Sequence, residues 1–231
     1  MNIGTRGRLE WLTLAMLAAV LAWDASGLDL WAAQLFGGPA GFSLKDHWLF
    51  EGVLHTGGRW VSWMLAAWVV IGIWRPTGCL HRIDIAERIQ LALSLAVAVL
   101  LISGMKKFSN TSCPAELEVF GRTARYVSHW AWFGASDGGT GRCFPAGHAS
   151  AAFAFVGGYF AFVKRSPETA RLWLATAVLS GIALGVAQQV RGAHFMSHTL
   201  WTAWLCWASA LAIDRARALC FRMGRVPAVR T

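Results

Sequence analysis

Residues 91–105 read LALSLAVAVLLISGM, an apolar run without a charged residue, and this run decides the fold class. With the residues before it, the run forms a stretch, Ile85–Met105, of the length that a helix needs to cross a bilayer, about 20 residues. The rest of the chain has the same character, because 56% of its 231 residues are hydrophobic and 14% are charged. Average soluble domains carry about 25% charged residues. The sequence therefore predicts an all-α integral membrane protein.

Five other apolar stretches resemble this one, and we interpret all six as membrane spans of a single domain, residues 1–231. In chain order the predicted spans are Leu9–Leu28, Arg59–Trp74, Ile85–Met105, Gly147–Val163, Leu172–Gln189 and His194–Ile213. The first resembles the core of a signal peptide, but Trp23 and Asp24 interrupt the expected cleavage site, so we interpret it as a retained helix. The prediction is a six-transmembrane-helix bundle.

The net charge of +9 separates by membrane side. With a cytoplasmic N-terminus, the inner segments hold most of the Lys and Arg residues, including the arginines of the C-terminal stretch 215–230, as the positive-inside rule requires. Both termini are therefore predicted to be cytoplasmic, and a long loop of about residues 106–146, between spans three and four, faces the outside. The first outer segment, residues 24–58, reads equally well as an amphipathic interfacial helix or as a loop. A nucleic-acid partner is excluded because the cations form short clusters between apolar runs.

The unusual residues of the chain gather in three stretches at predicted outer ends of spans. They are 106–114 (KKFSNTSCP), 144–148 (FPAGH) and 191–198 (RGAHFMSH). Lys106 and Arg191 offer positive charge, and Arg binds phosphate oxygens through paired hydrogen bonds. A helix that opens at Gly147 offers free N–H groups to an anion and lets its backbone approach closely. Together these stretches predict a phosphate site.

The histidines of these stretches can divide the chemistry of phosphoryl transfer. His194 and His148 suit the roles of nucleophile and general acid, since imidazole changes protonation near neutral pH. His198 follows His194 by four residues, so on a helix it shares a face with His194 and can hold its ring. The same spacing suits metal ligands, but the nearby cations disfavour a bound metal. The remaining histidines, interpreted as structural or solvated, are His47, His55, His81 and His129.

The order and spacing of the three stretches resemble the type 2 phosphatidic acid phosphatase (PAP2) superfamily of membrane lipid phosphatases. The family pattern is Lys, six residues, Arg-Pro; then Pro-Ser-Gly-His; then Ser-Arg, five residues, His, three residues, Asp. The matching positions are Lys106 with Cys113-Pro114, Pro145-Ala146-Gly147-His148, and Ala187-Gln188 with His194 and His198. Cys113, Ala146 and His198 thus stand where the family has Arg, Ser and Asp.

The resemblance implies a metal-independent phosphatase that uses no cofactor. His194 would attack phosphorus and become phosphohistidine, and His148 would protonate the leaving oxygen and later activate water. Lys106, with Lys107 beside it, would bind the phosphate oxygens.

Where the chain lacks the arginines and the aspartate of the family pattern, we expect other residues to supply their charges. Arg191 lies on the same helical face as Gln188, and we expect it to supply the positive charge of the missing arginines. We expect a nearby carboxylate to compensate for the aspartate that His198 replaces, and the candidates are Glu116, Glu118 and Asp137.

Cys113 and Cys143 are the two cysteines of the predicted outer loop. A disulfide requires an oxidising compartment, and these two satisfy that condition, whereas Cys79 and Cys220 are predicted to be cytoplasmic and Cys206 lies within the sixth span. We predict a Cys113–Cys143 disulfide, with two free thiols as the alternative.

The sequence thus predicts a lipid phosphatase of the bacterial inner membrane whose active site faces the periplasm. The resemblance implies a substrate such as a polyprenyl diphosphate, phosphatidylglycerol phosphate, phosphatidate or a lipid A phosphate. The partners are then a phosphorylated membrane lipid and the bilayer. Two alternatives stay open, a lipid phosphotransferase of the same mechanism and a non-catalytic transporter of an anionic lipid.

Overall fold

A computed structural model describes residues 3–130 and 137–223, and within these ranges the regular structure is helical, without a β-strand. The α-helices are α1 (Ile3–Ser26), α2 (Leu28–Gln34), α3 (Gly58–Ile71), α4 (Ile85–Phe108), α5 (Gly147–Phe153), α6 (Gly157–Phe162), α7 (Pro167–Val190) and α8 (Met196–Met223). A π-helix, Leu49–Gly57, precedes α3, and short 3₁₀ turns lie at Gly78–Arg82, Pro114–Glu116, Glu118–Phe120 and Ala154–Val156. The all-helical prediction is confirmed.

In the described part of the chain, three helical segments are long and apolar enough to cross a membrane. They are Gly7–Ser26, Ile85–Phe108 and Pro167–Val190. They correspond to the first, third and fifth predicted spans, so the chain is membrane-embedded, while the count of six stays a prediction. Arg225 and Arg230, the last two arginines that are predicted to be cytoplasmic, lie outside the described residues.

The other three predicted spans differ in detail from the expectation. Helix α3 has 14 residues, and the predicted fourth span consists of α5, a 3₁₀ turn and α6 rather than one continuous helix. Helix α8 has 28 residues and continues past Ile213 into a charged segment that holds Asp214 and Arg215.

The core is built around α4, which packs against α3, α5, α6 and α8. Small residues bring the helices close together. A Cβ on Gly157 would lie 2.5 Å from the Ser94 side chain of α4, and one on Gly185 of α7 would lie 2.3 Å from Thr199 of α8. Large apolar side chains also cover the outside, and the most exposed include Trp11, Trp74, Leu100, Leu172 and Leu179. Such a surface suits a lipid environment.

An ionic network closes the end of the bundle where α4 begins. Asp84 caps α4 and forms a capping box with Glu87. Arg165 pairs with both carboxylates, at 2.6 Å in the case of Glu87. The network lies 22 residues from Lys106 along α4, a distance of about 33 Å at 1.5 Å per residue. The opposite end of the bundle is therefore left for the three unusual stretches.

A disulfide joins Cys113 to Cys143 across the long loop, which confirms the predicted pairing. Backbone hydrogen bonds support the same contact, because Arg142 N donates to Ser109 O and Cys143 N donates to Thr111 O. Residues 131–136 of this predicted loop lie outside the described residues. The disulfide fixes the segment after α4 beside the segment that leads into α5.

Candidate active site

The three stretches converge at one end of the bundle. Lys106 lies in the last turn of α4, and its Nζ is 3.6 Å from the position that a Cβ on Gly147 would take at the start of α5. His148 is the second residue of α5. Lys106 and His148 both act electrostatically on His194, which lies in the turn between α7 and α8. The order and spacing along the chain thus correspond to proximity in space.

His194 and His198 form a buried pair, each at most 3% exposed. Their Nδ1 atoms are 3.4 Å apart, so one ring donates to the other and Nε2 of His194 is left free of that contact. Burial lowers the pKa of His194 well below its usual value, and the charge of Lys106 lowers it further. The imidazole is therefore neutral at physiological pH, which a nitrogen nucleophile requires.

The turn that carries His194 is fixed from several sides. Gly192 has a positive φ of 68°, and a Cβ there would lie 2.5 Å from the Phe42 ring, so only glycine fits. Asp29 of α2 accepts a hydrogen bond of 2.9 Å from Ser197 N and another from Ser197 Oγ. It thereby caps the N-terminus of α8, whose N–H groups have no partner within the helix. The position of His194 relative to α8 is well defined as a result.

Arg191 is buried and already paired. Its guanidinium forms an ion pair with Glu51, its Nε donates to Lys45 O at 2.8 Å, and its Nη1 lies 3.5 Å from Gln188 Oε1. The expected proximity of Arg191 and Gln188 is thus present. Its positive charge is balanced by a carboxylate rather than exposed to the site.

The sequence analysis missed the contribution of the π-helix Leu49–Gly57. The ring of His55 lies against that of His148, with centroids 3.9 Å apart and the planes tilted by 32°, and its Nδ1 is 3.5 Å from Glu51 Oε1. Arg59 acts electrostatically on both histidines. The signal in the sequence was the i, i+4 spacing of Glu51 and His55. The first outer segment is therefore helical at this point, and it faces the site.

Lys107, predicted to bind substrate beside Lys106, has a different environment. It is exposed and lines a separate polar cavity of about 360 Å³, together with Asn110, Thr140 and Arg142. Consecutive residues of a helix point about 100° apart, so only one of the two lysines can face α5.

The three expected replacements for the missing aspartate are engaged elsewhere in the described structure. Glu116 accepts hydrogen bonds from Cys113 N at 2.9 Å and Thr140 Oγ1 at 2.6 Å. Glu118 pairs with Arg125. Asp137 accepts from Ser112 N and Oγ at 2.6 and 2.9 Å. The geometry thus does not support this expectation, because these carboxylates stabilise the loop.

Among the residues that the structure describes, two groups of side chains have the spacing of metal ligands. One consists of Cys113, Cys143 and His194, but its cysteines form the disulfide and cannot act as thiolate ligands. The other consists of Asp24, Asp29 and His129, whose ligand atoms all lie within 4.8 Å of one another.

Comparison with known proteins agrees with this geometry. No curated protein and no solved structure matches the chain. A model of the PAP2 superfamily matches residues 88–221, more than half of the chain, and this range contains Lys106, His148, His194 and His198. Members of this superfamily are phosphatases, which supports a phosphoester hydrolase acting on a phosphorylated substrate. The chain belongs to the PAP2 superfamily.

Proposed function

We propose that the protein is a metal-independent phosphatase that hydrolyses a phosphomonoester or diphosphate of a membrane lipid. The observation that carries the proposal is the convergence of Lys106, His148 and His194 at one end of the bundle, with His198 behind His194. Family membership supports the phosphatase chemistry, and the surroundings of the site support the lipid.

In the proposed mechanism, Nε2 of His194 attacks phosphorus while the bond to the leaving oxygen breaks. His148 must enter this step protonated, a form that the negative phosphate of the bound substrate favours, and it donates that proton to the leaving oxygen. The phosphoryl group remains on His194 as phosphohistidine. His148, now neutral, takes a proton from water, whose oxygen attacks phosphorus and releases inorganic phosphate. Lys106 and the free N–H groups at the start of α5 stabilise the negative phosphate oxygens, which is the main demand of phosphoryl transfer.

A lipid substrate is supported by an apolar groove that is lined in part by α5, the helix that carries His148. The groove has a volume of about 840 Å³ and lies between the π-helix, α3, α5 and α7. Ala151 and Ala152 line it, three and four residues after His148 and thus on the same helical face. Along α7 it extends from Leu184 to Thr169, about 22 Å at 1.5 Å per residue. We infer that the groove holds the hydrocarbon chain of the substrate while its phosphate lies at His148.

The proposed topology has six spans, cytoplasmic termini and an active site on the periplasmic face of a bacterial inner membrane. The Cys113–Cys143 disulfide lies at the same end of the bundle as His194, since Cys143 Sγ is 3.5 Å from His194 Nδ1. Disulfides form in oxidising compartments such as the periplasm. Of the arginines after Ile213, Arg217 lies near Glu87 at the other end of the bundle, on the side that the positive-inside rule assigns to the cytoplasm.

The test is phosphate release from a panel of lipid phosphates by the purified protein in lipid nanodiscs. We expect release that continues in EDTA and that His194→Ala abolishes. His81→Ala, an exposed histidine of the turn at the opposite end, is the matched control and should retain full turnover. Release that survives His194→Ala would contradict the mechanism. Transfer of phosphate to a second lipid without release would identify a phosphotransferase, and binding without turnover a transporter.

A further inference from the structure

Three buried ionisable groups lie together behind His198. Asp24 is in the last turn of α1, Asp29 is in α2, and His129 is in the outer loop, yet their ligand atoms lie within 4.8 Å of one another. Asp29 and His129 are 7% and 8% exposed, and the side chain of Asp24 is 10% exposed. His129 Nε2 lies 3.3 Å from Asp24 Oδ2, a contact that is an ion pair only when the imidazole is protonated.

Neutral donors hold the two carboxylates in place. Asp24 Oδ2 accepts hydrogen bonds from the indole nitrogens of Trp130 at 3.0 Å and Trp201 at 2.7 Å. Asp29 accepts from the indole of Trp23 at 2.8 Å and from the backbone and hydroxyl of the α8 N-terminus. Hydrogen bonds from neutral donors stabilise carboxylate ions without cancelling their charge.

His129 does not neutralise the group. Its burial lowers its pKa, and the opposing effect of Asp24 and Asp29 only partly offsets the burial. Two carboxyl groups thus lie beside a single imidazole in a region of low dielectric, so acidic groups outnumber basic ones there.

His129 connects this acidic group to the proposed catalytic pair. The ring of His129 meets that of His198 edge to face, with centroids 5.5 Å apart. Phe144 stacks on His129 at 4.1 Å and also contacts His198, so an aromatic wall surrounds both rings. Electrostatic interactions are stronger in such an environment than in water.

The proposed reaction creates a need for a negative charge here. When Nε2 of His194 bonds to phosphorus and keeps the proton on Nδ1, its ring becomes positive. A neutral His198 accepts a hydrogen bond from that proton but carries no charge to balance it. In the family pattern, an aspartate at this position supplies both functions.

We propose that Asp24 and His129 act as positioning residues that supply, from behind His198, the negative charge that the family aspartate supplies directly. Asp24 lies 3.3 Å from Nε2 of His129 and orients its ring, and the ring of His129 in turn lies edge to face against that of His198. The inference rests on the proposed function, because the charge to be balanced is that of phosphohistidine formation.

The experiment is a double-mutant cycle between Asp24→Asn and His198→Asp, which restores the family residue. Asp24→Asn keeps the shape of the side chain and removes its charge. We expect kcat to fall about 10- to 100-fold, as is common for a group that orients a reactive histidine indirectly, and KM to stay unchanged because Asp24 does not contact substrate. In the His198→Asp background the same substitution should have little effect, so the two effects should not add.

The exposed Glu118→Gln is the control for loss of a loop carboxylate and should retain wild-type kcat. Thermal unfolding and the Cys113–Cys143 disulfide report whether Asp24→Asn still folds. Equal effects of Asp24→Asn in both backgrounds would assign it a structural role and overturn the inference. Stoichiometric binding of Zn²⁺ that Asp24→Asn abolishes would also overturn it, since the cluster would then be a metal site.

A second measurement does not depend on turnover. Titration of ¹⁵N-labelled histidines by NMR follows His194, which faces Lys106 from α4, His148 from α5 and His198 from α8. Loss of the Asp24 charge should lower the pKa of His194 further, and an unchanged titration would contradict the inference. If the wild-type protein releases no phosphate from any lipid, the proposed function fails, and this titration still decides whether Asp24 acts on the pair.

Discussion

The Glu51 carboxylate forms an ion pair with the guanidinium of Arg191. A phosphate that binds Arg191 must therefore displace this carboxylate or share the guanidinium with it. Glu51 also lies 3.5 Å from His55, which lies against His148. Glu51 thus links Arg191 and His55, two residues that the family pattern does not include.

Removal of the Glu51 charge should strengthen the binding of phosphate. Because a partly exposed ion pair is worth up to about 1 kcal/mol, we expect Glu51→Gln to lower the inhibition constant of inorganic phosphate about 2- to 5-fold. Assays of turnover at increasing phosphate concentration measure this constant. Weaker inhibition in Glu51→Gln would mean that Glu51 positions Arg191 for phosphate instead of competing with it.

Lys106 should also control the protonation of His194. Its charge lowers the pKa of His194, so Lys106→Met should raise that pKa and move the acidic limb of phosphoenzyme formation to higher pH. The neutral nucleophile is lost as pH falls through this pKa, so the variant loses activity at a higher pH than the wild type does. The pH dependence of phosphohistidine formation measures the shift. Lys107→Met, a lysine that lines the separate polar cavity, is the matched control and should leave the limb in place.

For single residues, the sequence predicts the site groups that belong to motifs of fixed spacing. It misses the groups that other segments of the chain bring to the site. Lys106, His148, His194 and His198 belong to three local patterns, and the structure brings them together. The sequence analysis interprets His55 and His129 as structural or solvated, because a lone histidine outside the three patterns usually is, and the i, i+4 spacing of Glu51 and His55 does not by itself identify a partner in the site. Their importance comes from contacts with His148 and His198, which only the tertiary structure shows.

Among the elements, the π-helix has the largest effect on the site. In a π-helix the backbone hydrogen bonds join residues i and i+5, and such segments occur often at functional sites. Here Leu49–Gly57 directs Glu51 toward Arg191 and His55 toward His148 of α5, while Val53 and Leu54 line the apolar groove. The amphipathic pattern of this segment fits an interfacial helix and a loop equally. The pattern does not show whether the apolar side chains pack on the bundle or lie in the membrane–water interface.

If the groove holds the hydrocarbon chain of the substrate, KM should depend on the length of that chain. Thr176→Trp places a large ring in the groove from an exposed position of α7, and we expect it to raise KM for long-chain lipid phosphates while KM for short-chain analogues stays the same. Leu179→Trp, at a lipid-facing position of the same helix that does not line the groove, is the control. An equal rise in KM for short and long chains would show that the groove does not hold the chain.

The disulfide element should contribute to stability and to activity. A bond that closes 30 residues stabilises by about 3–4 kcal/mol in the chain-entropy model. We therefore expect the Cys113→Ser, Cys143→Ser double variant to unfold at a lower temperature, as measured by thermal scans in nanodiscs. Addition of reductant to the wild type should produce the same decrease, and no decrease in either case would contradict the prediction.

For the whole molecule, the proposed orientation predicts which cysteines are accessible from outside the cell. In a Cys79→Ser background, a membrane-impermeant maleimide should not label Cys220, an exposed cysteine of α8, until the inner membrane is opened. A cysteine introduced by Arg122→Cys in the outer loop should be labelled in intact cells. The reverse pattern would place His194 on the cytoplasmic side.

The sequence predicts the overall architecture, an all-helical membrane protein, more closely than it predicts where single helices begin and end. Apolar composition is sufficient to predict an all-helical membrane protein, because a lipid environment leaves few other structures for the backbone. The break between α5 and α6 was not predicted. It lies where Phe155 O accepts from the Trp173 indole at 2.7 Å and where Gly158 is in close contact with the same ring. Such contacts between helices leave no trace in hydrophobic periodicity.

The Cys113–Cys143 bond has a consequence for biosynthesis. It connects the segment after Lys106 to the segment before His148, so two of the three parts of the site become covalently joined only after both have been exported and oxidised. In the orientation proposed here, a newly made chain still on the cytoplasmic side lacks this bond. The cell would then keep its own phosphorylated metabolites apart from an immature enzyme, and maturation would depend on thiol oxidation as well as on membrane insertion.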